Sequence, residues 1–142
     1  MYRMILVDDE PQIRRGLEGL IPWEDYGIEL VGEADNGVSA KILIERIRPD
    51  IAIVDIRMPQ MDGLQLLAQA KELTSCPKFI MLSGFDQFDY VRTAMRLGAK
   101  NYLLKPVDPE ELKAAVIDVA SALDEEAQKK QQFEQSLQAL MN

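Results

Sequence analysis

The stretch Ile51-Ala52-Ile53-Val54-Asp55, followed by Ile56-Arg57-Met58-Pro59-Gln60-Met61-Asp62-Gly63, decides the fold class. Four apolar residues in a row, three of them β-branched, read as a strand buried on both faces. The acid directly after them belongs at the mouth of that strand. Pro59 and Gly63 make the next segment a loop, before a helix carrying Leu64, Leu67, Ala68 and Leu73. A strand covered on both faces requires a sheet with helices above and below it.

Working outward, the chain supplies those layers. Met4 to Val7 reads as a first buried strand, and Pro11 to Ile21 as a helix with Ile13, Leu17, Leu20 and Ile21 on one face. Ile28 to Ala34 is strand-like, with Ile28, Leu30, Gly32 and Ala34 in alternation. After the turn Asn36-Gly37, Ser39 to Ile47 is helical. Phe79 to Leu82 is a fourth strand, Phe88 to Leu97 a helix ended by Gly98, and Asn101 to Leu104 a fifth strand. A last helix starts at Pro109, capped by Asp108. Strict strand–helix alternation argues for an α/β fold with a parallel sheet.

Composition limits what the chain can do. Its 142 residues allow one core, and 47% apolar with 28% charged residues is a globular mixture. The apolar runs are too short to span a bilayer, acids at positions 8 to 10 spoil any signal peptide, and a single cysteine fits a reducing compartment. The expected location is the cytoplasm. A net charge of −8 disfavours nucleic acid binding by this segment. With no histidine in the chain, any histidine chemistry must come from a partner.

In parallel α/β sheets, ligands sit at the carboxyl ends of the strands. Asp8 and Asp9 follow strand one, Asp55 strand three, Ser83 strand four and Lys105 strand five. Three carboxylates at one edge repel each other unless a cation sits among them, and oxygen ligands alone favour Mg2+ over zinc. Asp55 can then act as a nucleophile toward phosphorus, with Mg2+ and the Lys105 ammonium neutralising charge. The Ser83 hydroxyl can donate to a phosphoryl oxygen, and Gly84 leaves room for a group entering from outside. Taken singly, Asp8-Asp9 is a turn or cap pair, Ser83-Gly84 a turn and Lys105-Pro106 a solvated lysine before a proline. With Asp55 at the mouth of a buried strand, these make four accidents on one edge of one sheet, a poorer account than a site.

These residues resemble the receiver domain of two-component response regulators: Leu6-Val7-Asp8-Asp9-Glu10, the run from Asp55 to Gly63, Ser83-Gly84 and Lys105-Pro106. The resemblance covers residues 2 to 120 and implies a flavodoxin-like (βα)5 fold with strand order 2-1-3-4-5. It implies that Asp55 is phosphorylated by the phosphohistidine of a sensor histidine kinase. Asp9 would bind Mg2+ directly, Asp8 directly or through water, and the Arg57 backbone carbonyl would complete the protein ligands. Ser83 and Lys105 would hold the phosphoryl oxygens, and Tyr102 would be the aromatic coupled to Ser83 on activation. The chain would then be no conventional enzyme, though it would promote its own phosphotransfer and slow dephosphorylation. Arg57 and Phe85 flank the site and would tune the phosphoryl lifetime. A homodimer formed on phosphorylation is a further expectation.

A finer resemblance joins Pro22-Trp23-Glu24 with the segment from Ser83 to Tyr90, and points to receivers fused to an AraC-type helix-turn-helix domain, the YesN-like group. It implies transcription regulation, with DNA contacted only through an output domain absent from this sequence. A shortened chain and a single-domain regulator both fit that absence.

Residues 121–142 shift to Gln, Glu, Lys and Ala, with Leu123, Ala127, Phe133, Leu137, Leu140 and Met141 at helical spacing. The expected division is a receiver over 1–120 and a helical extension over 121–142. Two readings of the extension stand side by side: a signalling linker that forms a helical pair in a dimer, and a solvated tail. Three rival functions are weaker. A haloacid-dehalogenase-like phosphatase needs a second Asp where Arg57 stands. A phosphorylation-independent receiver would not need the whole residue set. A flavin-binding flavodoxin needs a phosphate loop rich in Ser, Thr and Gly after strand one.

Overall fold

Five parallel strands form one sheet in the order β2-β1-β3-β4-β5. The computed structural model describes residues 1–84 and 88–142, and of Phe88 only the backbone. The elements are β1 (Tyr2–Val7), α1 (Pro11–Leu20), β2 (Ile28–Ala34), α2 (Gly37–Ile47), β3 (Ile51–Asp55), α3 (Gly63–Ala70), β4 (Lys78–Ser83), α4 (Phe88–Arg96), β5 (Asn101–Leu104) and α5 (Pro109–Met141). The predicted fold class and strand order hold.

Every residue of β3 is buried, as an unbroken Ile-Ala-Ile-Val run demands when helices cover both faces. Alternate side chains divide between two cores. Ile51 and Ile53 join Leu17, Trp23 and the α5 residues Leu112, Val116 and Val119 on one face. Ala52 and Val54 join Ala40, Ile44, Leu66 and Phe79 on the other.

Two local features differ from the sequence reading. The pairing of β1 with β2 slips one residue between Met4 and Ile5, so that Met4 faces Leu30 and Ile5 faces Gly32. The predicted alternation therefore breaks: Ile28 and Leu30 belong to the first core, whereas Val31 and Ala34 belong to the second. Next, α2 begins two residues early. Asn36 is its N-cap, accepting from the Ser39 N–H at 2.9 Å, and Gly37 is helical rather than part of a turn.

The link between α1 and β2 is a short 3-10 turn, Trp23–Tyr26. Trp23 is buried in the first core, and its indole N–H donates to the Leu17 carbonyl at 3.0 Å. At the other end of the chain, α5 starts as predicted, with Asp108 accepting from the Glu110 N–H and Pro109 in the first turn. It runs unbroken to Met141 and leaves the sheet at the edge opposite the strand mouths. Contacts with the domain continue past residue 120: Leu123 packs on the first core, the Tyr2 hydroxyl donates to Asp124, and Lys78 pairs with Glu126 at 2.7 Å. Residues 124–142 are exposed, including Phe133 at 65% and Leu140 at 84%. Among the described residues, no helix is long and apolar enough to cross a membrane.

Candidate functional site

Strand register brings the chemistry to one edge. Val7 lies opposite Val54, Asp55 opposite Leu82, and Ser83 opposite Leu104, so Asp8, Asp55, Ser83 and Lys105 end neighbouring strands side by side. Asp55 and Ser83 are the last residues of β3 and β4 rather than the first loop residues, which fixes their backbones by sheet pairing. The Lys105 N–H donates to the Ser83 carbonyl at 2.7 Å, and the Ile56 N–H to the Leu82 carbonyl at 2.9 Å. The Lys105–Pro106 peptide bond is cis.

Lys105 is the hub. Its Nζ lies 2.8 Å from Asp8 Oδ2 and 3.3 Å from Asp55 Oδ2, in a setting where Asp8 is fully buried and Asp55 only 4% exposed. Burial pushes the Asp55 carboxyl up to about 6, and the Asp8 charge adds to the rise. Lys105 and a hydrogen bond from the Arg57 N–H hold it back. Burial works against the Lys105 charge too, but its hydrogen bond to Asp8 and the two carboxylate charges outweigh that and raise its pKa.

Asp8 is held from three sides. Its N–H donates to the Ala34 carbonyl at 3.1 Å, its Oδ1 accepts from the Glu10 N–H at 2.9 Å, and its carbonyl accepts from Arg14. The carboxylates of Asp8, Asp9 and Glu10 place oxygens within 4.8 Å of one another, with Asp9 and Glu10 exposed. The sequence reading gives Asp8 and Asp9 a role at the metal and includes Glu10 only as part of the motif around them. Its place directly after the Asp pair was the only signal, and an acid at the start of a helix reads first as capping. All these donors are hard oxygens, and two buried carboxylates share one ammonium. That set suits a hard divalent cation.

Of the other expected residues, Ser83 is buried at the end of β4, and Tyr102 is half-buried in β5, packed against the second core. Among the described residues, a Cβ on Gly84 would meet nothing within 4 Å. The Arg57 guanidinium lies over the ring of Tyr90 in α4, 5.8 Å from its centroid, a contact the sequence did not suggest. Phe85 lies outside the described residues.

Two glycines set the loop between β3 and α3. A Cβ on Gly63 would lie 2.4 Å from the Asp55 carbonyl oxygen, and a Cβ on Gly37 the same distance from the Met61 carbonyl oxygen. Each glycine N–H also donates into this loop, Gly63 to Ile56 at 2.7 Å and Gly37 to Met61 at 3.1 Å.

The chain is similar to known proteins in sequence and in structure. The sequence pattern of the response regulator receiver domain family matches residues 4–117. YesN, an uncharacterized transcriptional regulatory protein of Bacillus subtilis (strain 168), is 40% identical over 123 residues, 87% of this chain and 33% of YesN. Among solved structures, the REC domain of AraT, a response regulator from Geobacillus stearothermophilus, matches with TM-score 0.81 and 39% identity, covering 89% of this chain and 98% of that one. The CheX-CheY-BeF3-Mg+2 complex from Borrelia burgdorferi matches with TM-score 0.76 and 27% identity, covering 83% and 88%. The chain spans between 33% and 44% of the length of the curated relatives it matches.

Proposed function

The chain belongs to the response regulator receiver domain family, and we propose that Asp55 is its phosphoacceptor, charged by the phosphohistidine of a sensor histidine kinase. The observation that carries this reading is the Lys105 ammonium, seated within 3.3 Å of both Asp8 and Asp55 at the mouth of the sheet. An Asp55 oxygen attacks phosphorus, the phosphorus–nitrogen bond of the donor breaks, and its electron pair leaves with the imidazole of the kinase. Lys105 exchanges carboxylate partners for a phosphoryl oxygen, and the Ser83 hydroxyl donates to another. Asp8 and Asp9, with Asp55 and the Arg57 carbonyl, would hold Mg2+, which supplies positive charge to the phosphoryl oxygens when bound. The magnesium-containing relative from Borrelia supports that choice of ion.

Arg57 stands where a phosphatase of similar chemistry would place its acid–base aspartate, and its guanidinium is engaged with Tyr90. The aspartyl phosphate is thus stored and slowly hydrolysed rather than turned over. The stored charge pulls Ser83 and Lys105 inward and resets Tyr102, which alters the α4–β5–α5 face. In a longer protein that face would drive an output domain, and the transcriptional names of the relatives support a DNA-binding one.

Acetyl phosphate and Mg2+ provide the test. The wild type should gain one phosphoryl mass that alkali removes, and Asp55→Asn should gain none. Persistent labelling of Asp55→Asn would sink the assignment.

A further inference from the structure

We propose that Gly37, the first residue of α2, is a positioning residue for the loop that would offer the Arg57 carbonyl to Mg2+. It acts through the backbone of Met61. This rests on the metal site proposed above and names a residue that carries no ligand atom.

The argument begins with space. A Cβ built on Gly37 would stand 2.4 Å from the Met61 carbonyl oxygen, 2.6 Å from its Cβ and 2.7 Å from its Cγ. All three lie well inside van der Waals contact. The first two atoms belong to the loop's own frame, and a rotamer change cannot move them. At that same approach the Gly37 N–H donates to the Met61 carbonyl at 3.1 Å. Only glycine makes the bond and avoids the collision.

The bond matters because of what the loop spans. The Ile56 N–H is tied to Leu82, and Gly63 ties back to the Ile56 carbonyl, so the loop is closed at its base. Its far end turns through Gln60 at φ +68, with the Met61 N–H donating to Pro59 at 2.8 Å. Gly37 supplies the outside support for that far end. Its own position is firm, because Gly37, Ala40 and Ile44 are buried and Asn36 caps the helix. Arg57 lies between the base and the support. Movement at Met61 therefore reaches the Arg57 carbonyl while the Asp55 side chain stays on its strand.

The test compares Gly37→Ala with Ile44→Val, which trims the same helix within the core, away from the loop. Mg2+ affinity is measured by calorimetry, and the amide shifts of residues 57–62 are recorded without Mg2+. Gly37→Ala should weaken Mg2+ about tenfold, the lower end of what supporting contacts contribute to metal sites, and should move those amides. Ile44→Val should lower the melting temperature and leave both unchanged. Wild-type affinity in Gly37→Ala, or an equal loss in Ile44→Val, overturns the proposal. A gentler variant, Asn36→Ala, loosens the same end of α2 without adding an atom and must move the same amides; unmoved amides count against the proposal. A wild type that takes no Mg2+ defeats the metal site instead, and the metal-free amide shifts then decide on Gly37 alone.

Discussion

The Tyr2 hydroxyl at the start of β1 donates its hydrogen to the carboxylate of Asp124, inside the long C-terminal helix. This contact joins the first strand to a helical turn that lies beyond the residues matched by the family pattern.

The bond makes the phenol hold its proton. The hydrogen bond to Asp124, aided by burial and by nearby acids, pushes Tyr2 from 10.0 up to about 12. The folded chain thus binds this proton more tightly than the unfolded one, so the contribution is complete below pH 10 and is lost as pH rises through about 12. Ultraviolet titration should show an ionisation near pH 12 that is absent in Tyr2→Phe. A wild type with no step near pH 12 contradicts it.

Lys105→Met removes the one ammonium between two buried carboxylates. Stranding such charges costs about 3 kcal/mol at pH 7.5. The cost should shrink as pH falls toward about 6, because Asp55, freed of the lysine that holds its pKa down, takes up a proton. Urea unfolding at the two pH values measures it, and an equal loss at both would refute the account.

Gly63→Ala places a methyl group 2.4 Å from the Asp55 carbonyl oxygen. Backbone must yield, so we expect a loss of about 2 kcal/mol in thermal unfolding together with slower labelling by acetyl phosphate. Full labelling at the wild-type rate would show that Gly63 does not set the Asp55 backbone.

Asp62 caps α3 by accepting from the Gln65 N–H at 2.8 Å, while the Gln65 side chain accepts from the Asp62 N–H at 2.9 Å. Asp62→Ala should cost about 1 kcal/mol, and Asp62→Asn only a few tenths, since asparagine caps equally well. Equal losses in urea unfolding would mean that charge rather than capping is at work.

The sheet and its mouth were legible because burial on both faces leaves an unmistakable mark in β3, and one acid breaks it at Asp55. Asp8, Ser83 and Lys105 followed from the same rule at the other strand ends. What stayed hidden depended on register or on contacts between distant segments. The slip in β2 turns on one residue, Val31, whose side chain is as apolar as its neighbours. Glu10 carries no metal signal beyond following Asp8-Asp9, and the stacking of Arg57 on Tyr90 joins two elements that no local pattern connects. The closeness of Gly37 to Met61 left only an Asn-Gly pair in the sequence, which reads first as a turn.

The exposed apolar residues at the end of α5 keep step with those that pack it on the sheet. Val119, Phe133 and Leu140 are separated by multiples of seven residues, as are Val116, Leu123 and Leu137. A straight helix drifts only about 20° per heptad, so both sets occupy nearly one side of the rod. A twin helix lying parallel along the outer set, if continued upward, would run into the sheet that the inner set covers. Parallel coiling through this side would therefore require α5 to bend or peel away, exposing Leu112, Val116 and Val119. A helix arriving from the opposite direction would meet no such obstacle. The side of α5 that secures its own domain thus also restricts how a second copy of that helix can lie along it.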